Sequence, residues 1–396
     1  MRTSTVYCAL AIALAPRAQL SAQRLSAPVA APTDSLSVAH GTAGKTRTNS
    51  SKPGWSRPSH ADSTRLFYKG YGYGSDAYFS PFTVLLNKGF DIFQLRNSPR
   101  NIITFPYGNA WTYGIRGVVQ YPGAAVDRFG GWKRFTRVEL LPISTDIREL
   151  NWFVNYTEHL VGGGLTMRML DEWYRERGVP LPRLWAMVNT YAASVLNELS
   201  EQPDVRISSS GGVADLLFFD TGAILLFQWS QPARFLSRTL QAADWSSQAT
   251  LTLPNRQLQN NGQYFSFKVP IGLERTRLFI RGGMGAQLGI TRKIGEEHHF
   301  SIAAGGDTEV RDIDKRGLET VGFAPGAGMY WDRNNSLLWS VTTSPAENLV
   351  AINVYPGVLP GFGRSVGAWV VRTRRDEWRF GIVHRQALGL GIGYGR

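Results

Sequence analysis

Residues Arg277 to Ile290 alternate in character one by one. Leu278, Ile280, Met284, Ala286, Leu288 and Ile290 hold one parity. Arg277, Phe279, Arg281, Gly283, Gly285, Gln287 and Gly289 hold the other. Successive side chains of a strand point to opposite faces, so one face here is apolar and the other is glycine or polar. A soluble sandwich buries its apolar face with strands of about 3–10 residues. Alternation this long, with a wet second face, favours a membrane β-barrel that is apolar outside and polar inside.

The pattern recurs. Val321, Phe323, Ala327, Met329 and Trp331 alternate with Gly322, Ala324, Gly326, Gly328 and Tyr330. Trp378, Phe380, Ile382, Leu388, Leu390, Ile392 and Tyr394 alternate with Arg379, Gly381, Arg385, Gly389, Gly391 and Gly393. Glycine weakens an ordinary strand. Confined mainly to one parity, it suits the crowded lumen and tight coiling of a small barrel. Trp331, Trp339, Trp369, Trp378 and Tyr394 fall at or near strand ends, where interfacial girdles stand. The alternative is a soluble antiparallel barrel or sandwich.

Composition narrows the function. Charged residues are 18% and aromatics 12% of 396 residues, fewer charges than the usual quarter. The formal charge is +13, yet the arginines are scattered along the strands rather than clustered with aromatics. Nucleic acid is therefore not an expected partner. Anionic outer-membrane lipid or lipopolysaccharide is. Arg2, the apolar run from Val6 to Ala15, and Ala22 read as a signal peptide over 1–22. The only cysteine, Cys8, lies within it, so thiol chemistry is not expected of the mature chain. No later stretch offers 18 uncharged apolar residues. Val213 to Trp229 comes nearest and carries Asp215 and Asp220.

Residues 23–65 are poor in large apolar side chains and read as a disordered linker. Residues 66–143 read as an N-terminal helix, starting at Ser80-Pro81, followed by a strand pair near 111–121 and 134–141. Residues 144–247 read as a helical insertion, with helices over 151–176, 183–201, within 213–228, and over 232–243. Gly162-Gly163-Gly164 inside the first marks a close backbone approach or a break. Residues 248–396 carry the barrel strands, at 264–271, 276–290, 298–306, 319–331, 336–343, 348–355, 364–373 and 377–394.

The insertion holds the candidate site. Asn155 and His159 are four apart and share a helix face. Thr190, Ser194, Asn197 and Glu201 form a polar stripe on the next helix, beside Glu198. Asp215 and Asp220 interrupt an apolar run. Buried carboxylates need partners, and His159 and Arg168 are the expected mates. One use of such a cluster is a packing network. A second is a divalent ion on His159 with Glu198, Glu201 or Asp215, but the spacing matches no metal motif. A third is a hydrolase with His159 as general base and Ser194 as nucleophile, although no Gly-x-Ser-x-Gly frames that serine. No cofactor or metal is assigned.

The layout resembles bacterial outer-membrane β-barrel proteins, over the signal peptide and 249–396. The run from His159 through Gly164, with Arg168, Asn197 to Glu201, Asp215 and Asp220-Thr221-Gly222, is similar to helical hairpins attached to barrels in uncharacterised families. The resemblance implies an outer-membrane location and insertion by the barrel-assembly machinery. That machinery favours a terminal aromatic, whereas this chain ends in Arg396 with Tyr394 before it. The expectation is a mainly β fold: an antiparallel transmembrane β-barrel of about 8–10 strands with an α-helical insertion. Its expected role is structural, envelope-organising or lipid-binding. The alternatives are a lipid-modifying hydrolase using His159 and nearby acidic residues, and a narrow gated channel.

Overall fold

A long sheet follows a body of helices. The computed structural model describes residues 65–94, 101–143, 151–201, 210–252, 255–313, 319–344, 348–359, 365–385 and 391–394. These belong to one compact unit, Asp62–Arg396. The expected signal peptide, and the linker up to residue 64, lie outside the described residues.

Local chemistry starts the helices where the sequence suggests. Ser80 accepts from Thr83 N while Thr83 Oγ1 accepts from Ser80 N, and Pro81 follows at the first helical position. The helical run over 151–176 comprises Asn151–Val154, Asn155–Gly162 and Gly163–Glu176. Pro182–Glu201 follows, then Ser210–Gly212, Val213–Asp220 and Thr221–Leu226, and then Ser230–Arg234 and Phe235–Thr239. Asn155–Gly162 and Val213–Asp220 are π-helical. Such widened turns are rare and concentrate at functional sites. The glycine triplet does not break its helix. A Cβ on Gly164 would stand 2.1 Å from the Phe227 ring, so glycine here is a packing requirement.

The expected strand pair near 111–121 and 134–141 is corrected to helix: Tyr107–Ala110, Trp111–Ile115 and Arg116–Gln120, then Pro122–Phe129, Trp132–Phe135 and Thr136–Leu140. Ala110, Ile115 and Val118 are buried while Trp111, Tyr113, Val119 and Tyr121 are exposed. The intervening π-helical turn, Trp111–Ile115, sets that spacing. A short apolar run cannot separate strand from helix by periodicity alone. The helices thus begin well before the expected insertion and make this a mixed helix and sheet protein.

The sheet has thirteen strands: β1 Ala243–Asp244, β2 Thr250–Thr252, β3 Leu258–Gln259, β4 Tyr264–Pro270, β5 Thr276–Gly283, β6 Gly285–Lys293, β7 His298–Ile313, β8 Glu319–Arg333, β9 Ser336–Ser344, β10 Asn348–Val354, β11 Val366–Thr373, β12 Trp378–His384 and β13 Gly391–Tyr394. Their order is β1-β4-β5-β6-β7-β8-β9-β10-β11-β12-β13-β2-β3, with no pairing between β1 and β3. Every pairing is antiparallel except that of β13 with β2. The expected eight to ten strands were too few for three reasons. The stretch 276–290 turns at Met284, which preserves the parity across β5 and β6, and Gly283 supplies the turn with φ 134°. The stretch 377–394 divides into β12 and β13. Short β1, β2 and β3 carry no alternation to read.

One register relates the sheet's two ends. Ala243 pairs with Ser266, and Thr250 with Gln259, with equal lengths of chain between them on both sides. Along this stretch Trp245 N donates to Tyr264 O, and Ser247 N to Gly262 O.

The two faces of the sheet differ sharply. Leu278, Ile290, Ile302, Met329, Val341, Ile352, Val370, Phe380 and Tyr394 stand opposite one another across successive strands. This row faces outward: Ile290 is 57% exposed and Ile302 51%. The other face is buried and largely polar. Thr291 and Ser301, next to those isoleucines, are 1% and 0% exposed. Their row continues through Tyr330, Ser340, Asn353, Trp369 and Gly381. Glycine on this face makes room for rings. A Cβ on Gly328 would lie 2.1 Å from the Tyr330 hydroxyl, and one on Gly381 2.5 Å from the Trp369 ring.

The helical body covers the apolar face at β4. Phe267 pairs with Ile280, and Ile280 with exposed Leu288, which puts Phe265 on the same face. Phe265 is fully buried, with Leu165, Leu170 and Phe227 in its cluster.

Candidate functional site

The π-helical segments Asn155–Gly162 and Val213–Asp220 and the helix Pro182–Glu201 bring most of the expected polar residues together. His159 Nδ1 lies 3.1 Å from Asp220 Oδ2, and its Nε2 lies 3.9 Å from Asp215 Oδ1. Lys88 Nζ donates to the other Asp220 oxygen at 2.9 Å. Burial works against the Asp220 carboxylate, but Lys88 and His159 outweigh it and hold the group down at about 2. Burial pushes Asp215 well above the usual carboxylate range, and Glu198, Glu201 and Glu139 add to the effect.

Asn155 Nδ2 donates to the Glu139 backbone oxygen at 3.2 Å. Asn197 Nδ2 donates to Asp91 Oδ1 at 2.5 Å. Burial, with Glu158 and Glu201 nearby, raises Asp91 well above the ordinary range. Glu198 is buried against Gly212, where a Cβ would stand 2.5 Å from its Oε2. Thus Asn155, His159, Asn197, Glu198, Glu201, Asp215 and Asp220 share one buried neighbourhood. Arg168 does not join it. Its charged neighbours are Arg183, Glu172, Asp171 and Arg175.

No pattern in the sequence points to Lys88, Asp91, Glu139 or Glu158. Lys88 is a lone cation just past the end of the helix Pro81–Asn87, and its partner lies 132 residues further along. The usable signal was an uncompensated aspartate inside an apolar run, which demands a cation from somewhere.

The geometry favours a packing network. Both imidazole nitrogens face carboxylates. Ser194 is buried and donates to Thr190 O at 3.2 Å, and among the described residues no hydrogen bond joins it to His159. Among the described residues, no three His, Cys, Asp or Glu side chains are arranged to hold a metal ion.

A second buried charge lies on the polar face of the sheet. Lys268 Nζ stands 2.7 Å from both Asp332 carboxylate oxygens and 2.9 Å from Asn335 Oδ1. Asp332 also faces His299 Nδ1 at 3.5 Å. The rings of Trp245, Phe279 and Tyr330 pack beside it, with centroids 5.4–5.7 Å apart.

No family model, no characterised protein and no solved structure matches this chain.

Proposed function

We propose that this protein is an outer-membrane β-barrel with a structural, envelope-organising or lipid-binding role. One observation carries the reading: the sheet turns continuous apolar rows outward and buries its polar residues. Water would charge such a surface about 25 cal/mol per Å² of exposed apolar area. Contiguous patches of this kind mark contact with another apolar phase, and hydrocarbon matches an unbroken belt. Aromatic residues gather near one end of the belt. Trp339 packs on both Phe300 and Trp331 with ring centroids 6.1 Å apart in each pair, as an interfacial girdle would.

The strand register supports closure. The sheet as described is open between β1 and β3, but continuous strands formed from β1–β2 and β3–β4 would connect β13 to β5 and leave no free edge. A spanning sheet needs that, because an open edge strands its N–H and C=O groups in lipid. Joining these elements leaves an odd number of strands. An odd ring of otherwise antiparallel neighbours must contain one parallel pair, and β13 with β2 supplies it. Bacterial single-chain barrels usually have even counts, so this one departs from the rule.

The rings and ion pair on the polar face favour a filled lumen over an open pore. The enclosed imidazole of His159 favours a packing role over hydrolysis. The test is gel mobility of detergent-extracted outer membranes, with and without boiling. A heat-dependent shift supports the barrel. An unshifted protein in the soluble periplasmic fraction overturns it.

A further inference from the structure

Two arginines pair with one buried carboxylate of the helical body, and a third lies nearby. Arg175 Nε lies 2.9 Å from Asp171 Oδ1, and Arg183 Nε lies 3.6 Å from Asp171 Oδ2. Arg168 is the third. The next acid, Glu172, is committed elsewhere: it accepts from the backbone N–H groups of Leu66, Phe67 and Tyr68, each at 2.8 Å. Arg168 is only 9% exposed, yet its Nε and Nη1 find no acceptor among the described residues. Buried guanidinium donors without an acceptor are costly, so an oxygen-rich anion from outside would satisfy them.

The surroundings indicate which anion. Arg183 sits between Leu181 and the pair Leu184 and Trp185, all of them exposed. Leu181 is 68% exposed with φ 51°, a strained conformation that presents an apolar side chain at a loop tip. Trp185 is 48% exposed. Guanidinium groups beside exposed leucine and tryptophan suit the boundary between headgroups and acyl chains. The helical body that carries them packs on the sheet's apolar face, where the proposed barrel meets lipid.

We infer that Arg168, Arg175 and Arg183 bind the phosphate of an anionic lipid headgroup, while Leu181, Leu184 and Trp185 contact its acyl region. Arginine pairs with phosphate oxygens through two parallel N–H donors, and it favours a phosphodiester whose charge no neighbouring ammonium offsets. The lipid assignment rests on the membrane reading above.

The test uses the full chain in detergent micelles. Retention of phosphatidylglycerol and of phosphatidylcholine is compared by native mass spectrometry for wild type, Arg168→Gln and Arg183→Gln. The partly exposed Arg183 keeps the test informative if Arg168→Gln fails to fold. Each variant should weaken phosphatidylglycerol retention about fivefold, at roughly 1 kcal/mol per arginine near a charged lipid surface, and leave phosphatidylcholine unchanged. Equal phosphatidylglycerol retention in all three, with the heat-dependent gel shift intact, overturns this inference and spares the barrel. Loss of the shift in wild type removes the barrel instead. Arginine-dependent binding of inorganic phosphate without lipid retention would overturn the lipid as source.

Discussion

Lys88 Nζ and Asp220 Oδ1 stand 2.9 Å apart, both buried, and the two residues are 132 positions apart in the chain. This contact ties the helix Pro81–Asn87 to the π-helical segment that ends at Asp220. Removing one partner of a buried pair leaves an uncompensated charge, at about 3–5 kcal/mol. Lys88→Met should therefore lower stability by that amount, read from denaturant midpoints. The double variant Lys88→Met with Asp220→Leu should recover most of the loss. Full additivity of the two single losses would contradict the pairing.

Asp220 should also make the fold acid-labile. Its carboxyl sits at about 2 in the fold against 3.8 unfolded, so its stabilisation is complete above 3.8 and fades as pH falls through 2. Asp220→Asn should lose stability at neutral pH but show less further loss on acidification. Melting curves across pH 2 to 6 check this.

Asp76 has the opposite sign. Burial raises it from 3.8 to about 7, although Lys69 N and Tyr71 N donate to it. The fold therefore holds a proton that the unfolded chain has released between those values. Stability should fall as pH rises from 3.8 to 7 and level off above. Asp76→Asn should remove that slope, and melting points of both proteins from pH 4 to 8 would show it.

Gly162 meets the sheet at Phe265. An added Cβ would lie 2.3 Å from the Phe265 ring. Gly162→Ala should cost about 1–3 kcal/mol by overpacking. Phe265→Leu in the same chain should relieve much of it, as a double-mutant cycle on unfolding would report.

The outward belt and the exposed surface of the helical body should respond differently. Ile302→Lys places a charge at the middle of the apolar row and should cost about 2–4 kcal/mol of folding into bilayers. The same change at Leu141, exposed on the helical body, should cost far less. Equal effects in a vesicle-folding assay would contradict a lipid-facing belt.

Much of the sheet was legible because alternation is a local property. The strands from β8 to β11 fall close to where parity placed them, while β7 starts as expected but runs on to Ile313. The turn at Met284 was invisible because one intervening residue keeps the parity. The helices over 107–140 were misread because their buried residues, Ala110, Ile115 and Val118, follow a π-helical turn rather than an ordinary period. In the site, helical spacing picked out His159 and Asn197, and a broken apolar run picked out Asp220. Neither could locate Lys88 or Asp91, whose partners are distant in sequence. The expected pairing also placed Arg168 with the wrong carboxylates.

By itself the sequence determined which residues share a face, because the pleat of a strand and the turn of a helix fix side-chain direction from neighbour to neighbour. Only the tertiary structure decided which face is covered. It set the apolar parity outward, joined β13 to β2, and seated the helical body on β4. Those outcomes depend on pairings between distant segments, whose register and burial are settled by how whole elements pack and not by any local pattern.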